Sequence, residues 1–546
     1  QTQSWTNPMY PQWQGDDITA NPGSNKQACA ALDAFASEGA NKGVTDAWNL
    51  HYSVIKAANL IVNGAGNVNG SQEKKNVAFG NAHYWRAYSY FYLVRVFGKI
   101  PIITNTDINQ LDAQPAEIAE VYEMIVKDLK DAINELPTKY DYEPARLFDV
   151  DVWVTKQAAQ STLAAVYMSM AGYPLNKGTE YYKLAAEQAK DVIDNGFILN
   201  PDWKDVYSMG NNYNKETLLG INNDAKGWWD HDSQLSSCCR FESLGDGGWG
   251  DAWGEIAFWK RYPEGPRKNA IYAKRITFQD GTVITADCNW WDIPTADLWV
   301  PITMKTDAKE LEKQIKGLDE KIEKEKDNEK KTVRKVNGKY EKLLFEKGKK
   351  CVKEYHPMFT IFTVNCDEKG GMLRQPYDCM KPNYSGMVND RRHNLIRYSE
   401  VLLWYAESAA RAGLDLSEAK YYLKLVRQRA VNSADVDKVT LSDGSIVNID
   451  NMNAAQLAEA CYIEHGWEVA GNWVSMVTRR ADELRMNELK KNFEYRVTNA
   501  PVVIAKEGDK EYTAQESVTV TGPWSEDRIY CPYPTTDGEK NPNLKH

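Results

Sequence analysis

The sequence predicts a mostly α fold: a helical scaffold with a loop-rich, partly β lobe inserted into it. Three observations carry this. Apolar and small residues recur at helical spacing over long stretches at both ends of the 546-residue chain. Two of those stretches, one early and one late, read as helix–turn–helix pairs on the same plan. Between them, over residues 200–300, the helical period fades and Gly, Asp, Asn and Trp take over.

The first long helix is read at 43–63, where Trp48, Tyr52, Ile55, Asn59 and Val62 share a face. A longer one follows over 71–98, opened by Ser71 as N-cap and closed by Gly98, with Pro101 beyond. Residues 115–136 carry Ile118, Tyr122, Ile125, Leu129 and Ile133 and stop before Pro137. The pair 155–172 and 178–196 has Thr155 as a cap and Gly196 at the C′ position. A second pair is read at 394–413 and 416–431, with Asp415 and Glu418 placed as a capping box. Helical patterning resumes near 453–465 and near 474–492.

The two pairs, "STLAAVYMSMAGYPLNKGTEYYKLAAEQAKDVI" and "SEVLLWYAESAARAGLDLSEAKYYLKLVRQRA", resemble each other. Each is near the ~34-residue tetratricopeptide unit in length. One such pair cannot bury its apolar face alone, so the pairs are expected to stack into a curved scaffold. The plain alternative is a set of generic helical hairpins. Three regions result: an N-terminal scaffold over 1–200, a lobe over 201–393, and completing helical pairs over 394–546.

Within the lobe, residues 305–350 are dense in both charges, with a narrow stripe of Leu311, Ile315, Leu318 and Ile322. This reads as a solvated helix or helical hairpin. Residues 500–533 hold alternating stretches, "VVIAKE" and "SVTVTG", that read as short strands.

Composition narrows the function. Lys plus Arg is 66 against 76 for Asp plus Glu, a net charge of −10, which argues against nucleic acid as a partner. No apolar run approaches the ~18–20 residues of a membrane-spanning helix. The nine cysteines form no CxxC or His/Cys zinc spacing, so they fix neither metal nor compartment. The chain starts at Gln1, as a processed product would. No GxSxG, HExxH, Walker A or dinucleotide fingerprint occurs, so no enzymatic activity is expected. The Asp/Asn cluster over 222–232 is a candidate structural calcium site, although it lacks EF-hand spacing. No other cofactor is expected.

The segment "AHYWRAYSYFYLVRVFGKIPIIT" resembles the signature helix of the SusD-like (RagB/SusD) family of outer-membrane nutrient-binding lipoproteins. Arg86, Ala87, Tyr90, Phe91, Leu93, Val94, Arg95, Phe97, Gly98 and Pro101 follow its order. Four further segments agree in sequence order: "WNLHYSVIKAANLIV" at 48–62, "IRYSEVLLWYAESAARAG" at 396–413, "EHGWEVAGNWVSMVTRR" at 464–480, and the ending "YCPYPTTDGEKNPNLKH". Ser475 stands where the family usually has Asp. The resemblance implies four tetratricopeptide-like units supporting a variable lobe. It also implies a lipid anchor on a Cys ahead of Gln1, a place on the cell surface at the outer membrane, and a seat on a SusC-like TonB-dependent transporter. The cargo would be an oligosaccharide or polysaccharide, or in RagB-type members a peptide.

Capturing a sugar needs flat rings against its C–H face and amides, carboxylates or guanidinium groups at its hydroxyl rim. Nine of the 18 Trp lie between Trp203 and Trp299, interleaved with Asp, Asn and Gly. Trp228, Trp229, Trp249, Trp253, Trp290 and Trp291 are therefore the expected platform rings, with Asp230, Arg240, Asn289 and Asp292 as hydroxyl partners. The competing reading of any one Trp is that it packs the lobe. Asp16 and Asp17, ahead of the first helices, are weaker candidates. Tyr84, Trp85, Tyr88, Phe91 and Tyr92 sit at helical spacing and are read as core; Arg86, Arg95, Arg397, Glu400 and Glu407 as buried or capping partners. The other functional readings are a peptide receptor, a helical glycoside hydrolase, and a purely structural transporter subunit.

Overall fold

The computed structural model describes residues 7–22, 27–64, 69–106, 112–224, 233, 235–239, 250–272, 275–280, 283–288, 290, 299–301, 333–336, 339–343, 356–362, 371–373 and 389–544. Five helices make up the first part of the scaffold. They are α1 (Lys42–Asn63), α2 (Gln72–Phe97), α3 (Ile118–Glu135), α4 (Lys156–Ala171) and α5 (Thr179–Ile193), each packed on the next. The chain then leaves the scaffold and returns at α6 (Tyr398–Ala412), which packs directly on α5. α6 also packs on α7 (Leu416–Gln428) and α8 (Ala454–Val469). One apolar core runs through all of these, from Trp48 and Tyr84 to Leu403 and Leu457. The predicted mostly helical fold with an inserted, partly β lobe is thus what forms. Among the described residues, no helix is long and apolar enough to cross a membrane.

The caps explain where helices start. Ser71 Oγ accepts from Lys74 N, and Thr155 Oγ1 from Ala158 N at 3.2 Å. Asp415 caps α7 by accepting from Ser417 N at 3.0 Å, but Glu418 does not close the expected capping box. Its carboxylate instead accepts from the Tyr405 and Tyr422 hydroxyls and pairs with Lys190, tying α7 to α6 and α5. Gly98 ends α2 with φ 71°; Gly196 has φ 81° but follows Asp194 and Asn195, one place beyond C′.

Several boundaries differ from the periodicity. Residues 393–397 are a strand, paired antiparallel with Thr217–Ile221, so helix α6 starts only at Tyr398. The 474–492 pattern is two short helices, α9 (Arg479–Arg485) and α10 (Leu489–Thr498), parted at Asn487 with φ 57°. Val502–Glu507 is a strand as expected, paired with Lys510–Ala514, but 517–522 forms no strand. In the charged segment, Val333–Val336 and Lys339–Leu343 are antiparallel strands, not helix, and the second also pairs with Trp299–Pro301. The Asn337–Gly338 dipeptide between them is a hairpin signal that the charge pattern hides. The stripe Leu311–Ile322 lies outside the described residues.

Where the lobe joins the scaffold, the core is ionic. Glu468 on α8 accepts from Arg267 Nη1 and Arg397 Nη1, both at 2.7 Å, and from Arg429 Nη2 at 3.2 Å. The Trp203 indole also donates to it. Glu216 takes both terminal nitrogens of Arg429, and Glu464 pairs with Arg267 and Arg427. Burial pushes the Glu468 carboxyl up, but the three arginines outweigh it and hold the group well below the usual carboxylate range. Nearby, Trp404 N–H, which can only donate, binds His465 Nε2 at 3.1 Å, so Nδ1 carries the proton toward Asp482.

Glu468→Gln leaves three buried guanidinium groups short of their shared anion. We expect it to lower unfolding stability by about 3–5 kcal/mol. A denaturant midpoint within error of the parent would contradict this account of the junction.

Candidate functional site

The paired strands Thr217–Ile221 and His393–Arg397 run from the ionic junction to an open cavity of about 1100 Å³. Gly220, Ile221 and Asn222 form one wall. Helix α2 supplies another through Lys74, Asn81 and Trp85, and the loop between α3 and α4 contributes Tyr142 and Trp153.

The rings are held rigidly. Tyr140, Tyr142 and Trp153 meet edge to face, with centroids 5.8–5.9 Å apart and interplanar angles of 76–89°. Tyr140 is the buried anchor: its hydroxyl donates to Val154 O at 2.7 Å, and its backbone N–H donates to Asp151 Oδ1 at 3.0 Å. Tyr142 and Trp153 stay 41% and 37% exposed. Trp85 is half-buried and braced against Tyr84 and Tyr88 at 5.3 and 5.4 Å. Fixed, partly exposed rings lose little entropy when they cover an apolar surface.

Polar groups are few. Asn81 Nδ2 donates to Val77 O at 2.8 Å, the Asn81 side chain also hydrogen-bonds Tyr140, and Asn222 lies beside Val152. Lys74 is the one lining residue among those described that is charged at neutral pH. The described lining contains no carboxylate, histidine or cysteine, so it assembles no acid–base or nucleophile pair. Its chemistry is apolar stacking with a little amide hydrogen bonding.

The residues expected from sequence fall in three places. Trp228, Trp229, Asp230, Arg240, Trp249, Asn289, Trp291 and Asp292 lie outside the described residues. Trp253 and Trp290 are each 1% exposed, so neither presents an open ring face. Trp253 sits in a strand paired with Ile18–Ala20 and stacks on His356 at 4.7 Å; Trp290 packs edge-on to Trp259 at 5.2 Å. Trp85, read as core, borders the cavity instead, while Tyr84, Tyr88, Phe91 and Tyr92 are buried as expected. Tyr142 and Trp153 lie on no periodic face and in no motif. Their signal was two large aromatics in the aperiodic, turn-rich stretch 138–154.

The buried charges behave structurally. Arg86 grips Asp128 with Nε and Nη2 at 2.7 and 2.8 Å; Glu407 takes both terminal nitrogens of Arg485; Ser475 donates to Glu400 at 3.1 Å. Among the described residues, one group, His83, Asp128 and Asp131, clusters closely enough for a metal. Arg86 already occupies both Asp128 oxygens, and His83 Nδ1 lies 2.7 Å from Glu135 Oε2, so these groups already have partners. Of the candidate calcium cluster, Asn223 donates its amide N–H to Arg391 O at 2.6 Å, and residues 225–232 lie outside the described residues. Asp16 pairs with Arg479 and Arg261, and Asp17 accepts from Gly471 N at 2.7 Å; both pin the N-terminal segment rather than face a ligand.

Burial raises the Asp17 carboxyl to about 7 from 3.8, with the Gly471 N–H only partly opposing it. Between those pH values the unfolded chain has released this proton and the folded chain has not, so stability falls as pH rises. Asp17→Asn keeps an acceptor for Gly471 and removes that loss. The variant should match the parent near pH 4 and exceed it by about 2–4 kcal/mol above pH 7. Parallel stability–pH curves for the two proteins would refute the assignment.

Comparison with known proteins follows the same lines. A family profile described as "Starch-binding associating with outer membrane" matches residues 3–168, and the SusD family profile matches residues 279–546. A SusD-like protein of Bacteroides ovatus is 30% identical over 250 residues, covering 42% of this chain and 43% of the relative. The chain thus matches less than half the length of that relative. A solved structure described as a complex with a xylogluco-oligosaccharide superposes with a TM-score of 0.65 at 20% identity, over 100% of this chain and 96% of the other. A SusD homolog from Bacteroides thetaiotaomicron gives a TM-score of 0.66 at 17% identity, over 100% and 94%.

Proposed function

The chain belongs to the SusD-like family, and from that premise we propose that it is a non-catalytic cell-surface receptor that captures a glycan by aromatic stacking. The observation that carries this is the cavity bordered by Trp85, Tyr142 and Trp153. Its rings are braced by buried neighbours yet open to solvent, as a sugar's C–H face requires. Asn81 and Asn222 stand at its edge as hydroxyl partners. The described chain passes from Asn222 to Asp224 and then enters the Trp228–Trp229 stretch, so those rings are proposed to extend the same platform.

The family places such receptors on SusC-like TonB-dependent transporters. We accordingly propose that this chain hands its oligosaccharide to one, at the outer membrane, through a lipid anchor preceding Gln1. The xylogluco-oligosaccharide in the structural neighbour supports a glycan over a peptide cargo. The lack of carboxylates in the described lining supports capture without hydrolysis.

Trp153→Ala and Tyr142→Ala should each weaken glycan binding by about tenfold, as one lost stacking ring does. Affinity electrophoresis across a polysaccharide panel, with calorimetry on the best ligand, measures this. Because both rings are partly exposed, melting temperatures should barely move. Undiminished affinity in both variants, or new reducing ends on long incubation, would remove the basis for this reading.

A further inference from the structure

Arg392 immediately precedes the strand His393–Arg397 that backs the cavity, and it is 3% exposed. Among the described residues, none of its three guanidinium nitrogens has a hydrogen-bond partner, and no carboxylate pairs with it. Other deep arginines of this protein, such as Arg86, Arg397 and Arg485, are held by carboxylates. Burial lowers the Arg392 guanidinium only to about 10, so it remains a cation at neutral pH.

Its surroundings connect it to the cavity. A Cβ on Gly220, a cavity-wall residue, would come within 2.7 Å of Arg392 Nε, so the guanidinium lies directly against that wall where there is no side chain. On its other side, Arg392 Cζ stands 5.6 Å from the ring centroid of Tyr213. The Tyr213 ring in turn meets Phe148 at 5.1 Å. Phe148 is 78% exposed and sits with Asp149 in the two-residue turn between Arg146–Leu147 and Val150–Asp151. Their φ angles are 50° and 63°. Gly, Asn or Asp take that left-handed conformation readily; a bulky aromatic is strained in it.

We propose that the groove extends past Gly220 onto Tyr213 and Phe148, and that this extension takes an anionic sugar unit of the glycan. The inference rests on the glycan-receptor reading above and adds the charge class of its ligand. Phe148 and Tyr213 would cover the sugar face. Arg392 supplies the opposite charge from behind the wall, where low dielectric strengthens its pull. Lys74, the one described cavity-lining residue charged at neutral pH, has the same sign. The protein's net charge is −10 and acidic groups stand nearby, Asp149 beside Phe148 and Glu73 and Asp141 near Tyr142, so the cationic pull is local to Arg392 and Lys74. A uronate carboxylate and a sulfate ester share the chemistry such a patch selects.

The test uses the full chain with three probes: an oligogalacturonate, a sulfated galactan oligosaccharide and a neutral xyloglucan oligosaccharide. We expect at least one acidic probe to bind more tightly than the neutral one, and the preference to shrink as salt is raised. Arg392→Met should weaken acidic-probe binding by about tenfold or more, and leave neutral binding within about twofold. Its melting temperature should not fall, because an unpaired buried charge has been removed. Phe148→Gly, which relieves the left-handed backbone, should fold at least as stably and lose about three- to tenfold in acidic-probe affinity. Equal affinity for acidic and neutral probes, with Arg392→Met silent, overturns this inference but leaves the receptor reading standing if Trp153→Ala weakens them all. Binding of none of the three probes by the parent protein overturns both.

Discussion

The architecture depends on a set of charges shut away from water. Arg267, Arg397, Arg427 and Arg429 face Glu216, Glu400, Glu464 and Glu468, four of each sign, all nearly or wholly inaccessible to solvent. These residues come from every part that meets at the lobe–scaffold junction. Glu216 precedes the strand leaving the scaffold, Arg267 belongs to the lobe, Arg397 ends the returning strand, and Glu464 and Glu468 lie on α8. Desolvating so many charges is expensive, and their mutual attraction roughly offsets it. What such a lattice supplies is geometry: a guanidinium fork accepts carboxylates in few orientations, so a shifted strand or helix would strand a buried charge.

That geometry reaches the cavity through the two-stranded sheet. Glu216 and Arg397 fix one end of the pair Thr217–Ile221 and His393–Arg397; the other end carries Gly220, Ile221 and Arg392. On the opposite wall, α2 is held by the Arg86–Asp128 fork to α3, and through Asn59 to α1. Trp85 lies next to Arg86 in this clamp. The loop bearing Tyr142 and Trp153 is pinned by the Tyr140 hydroxyl and by Arg146 paired with Asp151. Three rigid pieces with separate anchors thus present their side chains to one space, which is how a binding surface avoids an ordering cost when ligand arrives.

Much of the scaffold was legible because helical order is local. Ser71, Thr155 and Asp415 announce helix starts through bonds to residues two or three places away, and the apolar faces of 43–63 and 115–136 repeat every turn. What was misread depends on distant partners. Residues 393–397 continue a helical pattern but pair with a strand more than 170 residues earlier, as the Asn394–Gly220 register shows. The rings divided for the same reason. Trp253 and Trp85 are equally apolar in sequence, yet strand pairing encloses the first, and the second lies at the edge of α2 beside a gap. Trp abundance marks a region as unusual without stating which faces are wet.

Two rule-breaking features meet beside the cavity. Most deep arginines in this protein have a carboxylate or a set of carbonyls, as Arg480 does with Arg95 O and Ile529 O; Arg392 has neither. Most residues at positive φ are Gly or Asn, whereas Phe148 is a large aromatic exposed to water. Either feature alone costs stability. Both meet at the Tyr213 ring, and Arg392 lies against the wall residue Gly220, so a single explanation serves them: a surface kept poorly satisfied in the unbound protein is one that a complementary ligand satisfies. The ligand that would do so has an apolar face for Phe148 and negative charge for Arg392. That combination separates an acidic sugar from a neutral one, which gains only the stacking, and from a free inorganic anion, which gains only the charge.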